Sequence, residues 1–171
     1  MNPSPLRYQG GKYKLYKYVA ELVKYNGCQT YIEPFCGGAA IALELLFDGT
    51  VNNIIINDYD YTIFCFWESI LHRTEEFVQL IENTEVTLEE WHRQKAVRDH
   101  VDDHSCLEIG FSTFFLNRTN RSGIIDKAGP IGGLNQQGDY PIDCRFNKPR
   151  LISQIQKIGE HKRYIQICNL D

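Results

Sequence analysis

Three stretches of this 171-residue chain carry residues whose types and spacing suit chemistry. The first is Tyr31-Ile-Glu-Pro-Phe-Cys-Gly-Gly38, where a carboxylate, a thiol and a glycine pair follow an aromatic, β-branched run. Adjacent glycines allow a tight turn and a close backbone approach to a ligand. The second is Asn57-Asp58, a carboxylate ending the apolar run Ile54-Ile55-Ile56, in the place where nucleotide folds hold a ribose diol. The pair suggests a nucleoside-containing cofactor. The third is a polar, glycine-rich run from 117 to 139. Its Arg, Asn and Gln side chains are those that make bidentate contacts to bases, but the same composition also describes a flexible surface loop.

Other patterns fail on inspection. Gly10-Gly11-Lys12 lacks the earlier glycine of a phosphate loop and has Tyr13 where that motif needs Ser or Thr. His100-Val-Asp-Asp-His104 lacks the glutamate directly after the first histidine of a zinc-protease helix, so no metal centre is expected. Cys36-Gly-Gly-Ala-Ala lacks the glycine spacing of dinucleotide-binding dehydrogenases.

The elements that must position these residues follow from periodicity. A helix is expected from Tyr13 to a stop at Asn26-Gly27. A strand spans 29–35, a glycine turn follows, and 39–46 restarts as a helix; 53–58 is a second strand. Buried helices are expected over 59–71 and after Ser105, and a more exposed segment over 74–83. Thr87-Leu-Glu-Glu90 is a capping-box pattern opening a polar helix that runs to about Asp103. A helix begins near Asn147, and 163–170 alternates like a third strand.

Composition bounds the class. With 43% hydrophobic and 12% aromatic residues the chain folds, and no apolar run approaches the roughly 18 residues that span a bilayer. No leader pattern opens the sequence, so a cytoplasmic protein without a membrane anchor is expected. The six cysteines form no close pair and read as reduced, buried thiols. Net charge is −4, yet 117–150 holds six bases against three acids, whereas 68–108 holds eleven acids against four bases. A local basic surface on an acidic protein is compatible with a groove for an anionic polymer.

Taken together, Ser4-Pro-Leu-Arg-Tyr8-Gln-Gly-Gly-Lys12, Tyr31-to-Gly38, Asn57-Asp58 and Phe114-Phe-Leu-Asn-Arg-Thr-Asn-Arg-Ser-Gly123 resemble, in order, motifs of the Dam-like adenine-specific DNA methyltransferases. The resemblance covers nearly the whole chain apart from about 75–104. It implies an α/β fold: an incomplete Rossmann-like methyltransferase sheet with a mostly helical DNA-recognition insertion. The cofactor-binding part would span 1–72, the DNA-recognition region 73–146, and 147–171 would return to the sheet. The implied cofactor is S-adenosylmethionine and the implied substrate is duplex DNA with a flipped-out adenine. Tyr8 and Lys12 would flank the methionine end, and Glu33, Pro34, Phe35, Cys36, Gly37 and Gly38 would line the cofactor. Asp58 would accept the ribose hydroxyls, and Asp171 would sit beside the adenine ring. Asn117, Arg118, Asn120, Arg121 and Ser122 would face DNA.

One departure from the family pattern bears on activity. The family orients the target amine with an Asp-Pro-Pro-Tyr motif after its fourth strand, and no two prolines of this chain are adjacent. No catalytic residue is therefore assigned. The expectation is an N-terminal portion, inactive alone, whose first strand exposes an edge to a complementing C-terminal half or to a second copy. The alternative is a non-catalytic DNA-binding or regulatory module that keeps the fold.

Overall fold

The computed structural model describes residues 2–8 and 10–171; Met1 and Gln9, the latter inside the Tyr8-to-Lys12 motif, lie outside the described residues. Among these, three short strands form one parallel sheet in the order β1 (Thr30–Glu33), β2 (Asn53–Asn57), β3 (Ile165–Cys168). Tyr31 stands opposite Ile54, and Ile54 opposite Ile165. Parallel strands need crossover connections, and helices supply them.

A 3-10 turn at Lys12–Leu15 leads into α1 (Tyr16–Tyr25), which stops where Gly27 takes a φ of +63°. Between β1 and β2 runs α2 (Ala40–Phe47), whose Ile41, Ala42, Leu43, Leu45 and Leu46 are all buried. After β2 comes α3 (Tyr61–His72), N-capped by Asp60, which accepts from the Thr62 N–H. Four more helices follow: α4 (Thr74–Asn83), α5 (Leu88–Asp99), α6 (Cys106–Thr119) and α7 (Lys148–Glu160). The third strand lies beside the second, so the chain is mixed α/β as an incomplete Rossmann-like sheet requires.

The tightest packing is between α3 and α6. A Cβ at Gly110 would lie 2.5 Å from the Cys65 carbonyl oxygen, so the two backbones touch there. Around this contact Phe66, Phe77, Phe111, Phe114 and Phe146 interlock, with Phe66 and Phe114 stacked at 6.0 Å. One core runs from Leu6 through these rings to Ile165 and so crosses all three expected segments.

Two helix ends differ from expectation. The Thr87 hydroxyl accepts from the Glu90 N–H, but the Glu90 carboxylate turns to Gln94 and Arg93, so the reciprocal half of the box is not made. The complete capping box belongs to Ser105 and Glu108 at the start of α6. The polar helix also stops at Asp99, because His100 leaves helical geometry at φ −132°, and a 3-10 turn covers Val101–Asp103. His100 Nδ1 lies 3.0 Å from the Ala96 carbonyl and His104 pairs with Glu108.

Residues 124–147 are irregular, tied back by an antiparallel bridge between Asn120 and Pro130. The cysteines are free; Cys36 and Cys65 are buried, whereas Cys28 and Cys144 are exposed against the expectation of buried thiols. On its far side β1 pairs with no strand among the described residues, and Ile32 and Phe35 beside that edge are 56% and 85% exposed.

Candidate functional site

The carboxyl ends of the three strands are stitched together by two asparagines. Asn57 donates through Nδ2 to the carbonyls of Pro34 (2.9 Å) and Leu170 (3.1 Å), and its Oδ1 accepts from the Leu170 N–H. Asn169 donates to the carbonyls of Asp58 and Tyr59. This fixes the crevice where open α/β sheets bind ligands.

The glycine turn is held from several directions. Gly37, at φ +45°, donates its N–H to Asp58 Oδ2 (2.8 Å), and its carbonyl accepts from the buried Trp67 indole (2.9 Å). A Cβ there would lie 2.6 Å from the Tyr8 ring, and one at Gly38 would lie 3.0 Å from Ser4 Oγ. The start of the chain therefore lies directly on the turn, and at position 37 only glycine permits the approach. Asp58 Oδ1 accepts from the Asp60 N–H at 3.1 Å, so each of its oxygens already holds one backbone donor. Burial, then the nearby Asp58, pushes the Cys36 thiol up, which keeps it protonated and inert as a nucleophile.

Between the chain start and the turn lies a cleft of about 380 Å³, lined by Tyr8, Lys12, Tyr13, Glu33, Phe35, Cys36 and Gly38 among others. Lys12 is exposed and donates to its own loop at the Gly10 carbonyl. Phe35 is a solvent-facing wall of the cleft, since 85% of it is exposed. Pro34 is exposed, and Asp171 follows Leu170 at the surface; neither lines the cleft, nor does Asp58. Tyr8 is held above its ordinary phenol range by burial, Asp58 and Asp60.

Glu33 is the unusual group here. Burial pushes its carboxyl up from an ordinary 4.5 to about 7, outweighing the Ala42 N–H that donates to it at 3.4 Å, and no cation pairs with it among the described residues. A raised carboxyl pKa means that the folded protein holds the extra proton between about 4.5 and 7, so stability falls as pH rises through that window. Glu33→Gln is therefore expected to stabilise the chain by about 1–3 kcal/mol at pH 8 and hardly at pH 4, checked by urea melts at both values.

The residues expected to face DNA divide into two sets. Asn117 and Asn120 are fully buried and spent on the protein itself. Asn117 Oδ1 accepts from the Arg7 N–H, and its Nδ2 donates to the carbonyls of Arg7 and Gly123. Asn120 accepts from the Trp91 indole and donates to the carbonyls of Ile124 and Ile125. Direct contact of these two amides with bases is closed off by that burial. Arg121 and Ser122 are exposed, Ser122 in a left-handed turn at φ +57°. Arg118 is half-buried and donates through Nε and Nη2 to the Arg145 carbonyl. Sequence reasoning missed Arg98, which forms a bidentate pair with Asp126 (2.9 and 2.8 Å) and lies 3.6 Å from Asp60. It ties the irregular segment to the turn after β2; an arginine inside a polar helix gives no sequence signal for this.

A cavity at the glycine turn and a polar surface at the end of α6 thus share one wall, the segment from Asn2 to Tyr8. Among curated proteins nothing matches the chain. The family model for D12 class N6 adenine-specific DNA methyltransferases matches residues 8–160, most of the chain, and the chain belongs to that family of DNA-modifying transferases.

Proposed function

We propose that the chain binds S-adenosylmethionine between its N-terminal segment and the glycine turn, and presents it for methyl transfer to the exocyclic amine of adenine in duplex DNA. The observation that carries this is Glu33: a half-buried carboxylate with no cation partner among the described residues, lining a cleft whose opposite side is the N-terminal segment packed on the glycine turn. Such a site suits a cationic ligand, which would favour the ionised carboxylate and repay its desolvation. Asp58 would take the ribose hydroxyls with its remaining lone pairs, Lys12 would meet the ligand's carboxylate, Tyr8 and Phe35 would flank it, and Asp171 would approach the adenine ring. When bound, the cofactor supplies the methyl group; the chain's own residues bind it, orient it and exclude water.

Residues 73–146 form the DNA-recognition region on this reading, with Arg118, Arg121 and Ser122 as contacts and Asn117 and Asn120 positioning them. Because none of the 171 residues forms an Asp-Pro-Pro-Tyr tetrapeptide, the group that orients the target amine comes from outside them, and the chain by itself transfers no methyl group. The free edge of β1, with Ile32 and Phe35 exposed beside it, is where a complementing strand or a second copy would pair. Sedimentation as a strict monomer would exclude self-association through that edge.

The same missing tetrapeptide favours, as second reading, a non-catalytic DNA-binding module. Calorimetry separates the two. Measurable S-adenosylmethionine binding, weakened about 10- to 100-fold by Asp58→Ala, is expected from the loss of hydrogen bonds to a charged acceptor. Duplex binding without any cofactor binding would establish the module instead.

A further inference from the structure

Four arginines from three distant parts of the sequence converge on one cleft. Arg7 comes from the N-terminal segment, Arg118 from the end of α6, and Arg145 and Arg150 from either side of the start of α7; together with Ser122 and Tyr8 they line a space of about 380 Å³. None of the four forms an ion pair among the described residues, and the side chains of Arg145 and Arg150 donate to no protein acceptor there. Like charges gathered without an acid repel one another. Burial and the three neighbouring guanidinia pull Arg118 down to about 10, and burial with Arg145 lowers Arg7. Such a cluster destabilises the folded chain unless an anion fills it. A guanidinium fork matches a phosphate geometrically, and Arg118 already has Nε and Nη2 committed to the Arg145 carbonyl, which fixes its direction.

We propose that this cleft is a phosphate-binding site, and that its ligand is a single backbone phosphodiester of the duplex. The site goes beyond the expected contacts at 117–122 by recruiting Arg7, Arg145 and Arg150. Tyr8 and Leu6 line both this cleft and the one at the glycine turn, so the phosphate lies across one extended segment from the cofactor cleft and holds the strand there. The assignment to DNA rests on the proposed function, but the anion site itself does not.

Arg145 and Arg150 are exposed, so Arg145→Gln and Arg150→Gln can be made without disturbing the core. Thermal melts in inorganic phosphate and in chloride of equal ionic strength are expected to show a higher Tm in phosphate for the unaltered chain. Each variant is expected to have a raised Tm in chloride and a smaller increment from phosphate. Anisotropy with a labelled duplex of about 20 base pairs is expected to show each variant binding about 5- to 10-fold more weakly near 0.1 M salt. The slope of log K against log salt should fall by about one, whereas Lys17→Gln on α1 leaves affinity near that of the unaltered chain. No phosphate-specific Tm gain would overturn the site. A phosphate gain with unchanged duplex affinity would assign it to free phosphate and overturn the duplex assignment. A null calorimetric result with S-adenosylmethionine alters neither measurement, so failure of the cofactor reading is distinguishable from failure of this one.

Discussion

Gly37→Val is expected to abolish S-adenosylmethionine binding, lowering affinity by more than about 100-fold, while circular dichroism still reports the helices. Three constraints act on this one position. Its φ of +45° costs a β-branched residue about 1–3 kcal/mol. The first side-chain carbon would sit 2.6 Å from the Tyr8 ring, far inside contact distance. Retreat of the backbone is blocked because Trp67 and Asp58 hold the carbonyl and the N–H at 2.9 and 2.8 Å. The softest response is for the half-exposed Tyr8 to swing away, which opens the cleft and removes one of its walls. A neighbour gives a control. Gly38 has no positive φ, and its added Cβ would press on the Ser4 hydroxyl at 3.0 Å and reach ordinary contact with the Tyr8 Cβ at 3.4 Å, so Gly38→Ala is expected to cost much less. Pairing Gly37→Ala with Tyr8→Ala separates the clash from the backbone strain, since the second change relieves only the clash. Calorimetry reads the outcome, and affinity within about threefold of the unaltered chain for Gly37→Val would mean that the cleft does not hold the cofactor.

The elements that carry this turn were legible in the sequence because they are local. A β-branched run, two glycines and a helix-forming run specify β1, the turn and α2 without help from distant residues, and the spacing to Asp58 fixes the second strand. What holds the turn was not legible. Trp67 lies in an apolar run that announces only burial, and nothing local tells that its indole N–H meets the Gly37 carbonyl. Asn57 and Asn169 stitch strand ends that are distant in sequence, as Arg7 and Arg145 share a cleft from nearly opposite ends of the chain. The family resemblance, like residue type, points the amides at 117 and 120 outward, although Gly110, Thr113, Phe114 and Asn117 recur every three or four residues. That spacing places Asn117 on the buried face of α6, where residue type and helical phase conflict and phase prevails. The end of α5 at Asp99 carried no stop signal, since His100 and Val101 are ordinary helix residues.

Asn117→Ala is expected to remove about 3–5 kcal/mol of stability, a large share of the roughly 5–15 kcal/mol that holds a domain together. The Asn117 amide is fully buried and works as a clip. Its Oδ1 takes the Arg7 N–H at 2.7 Å, and its Nδ2 serves the carbonyls of Arg7 and Gly123 at 2.9 Å each. Alanine would leave three backbone groups without partners in a space that water fills poorly, and each such group costs about 1–3 kcal/mol. The clip also fixes the segment that walls both the glycine-turn cleft and the arginine cleft, so ligand affinities should fall together with stability. Asn117→Asp keeps the acceptor for the Arg7 N–H but sets a carboxylate against two carbonyl oxygens, so it should rescue little. Urea melts and duplex anisotropy, run side by side at a temperature where the variant is still folded, separate a clip from a base-reading amide. A clip lowers the urea midpoint and takes affinity for phosphate, cofactor and duplex down together. A base reader would lose duplex affinity alone at an unchanged midpoint, and that outcome would return Asn117 to the DNA interface.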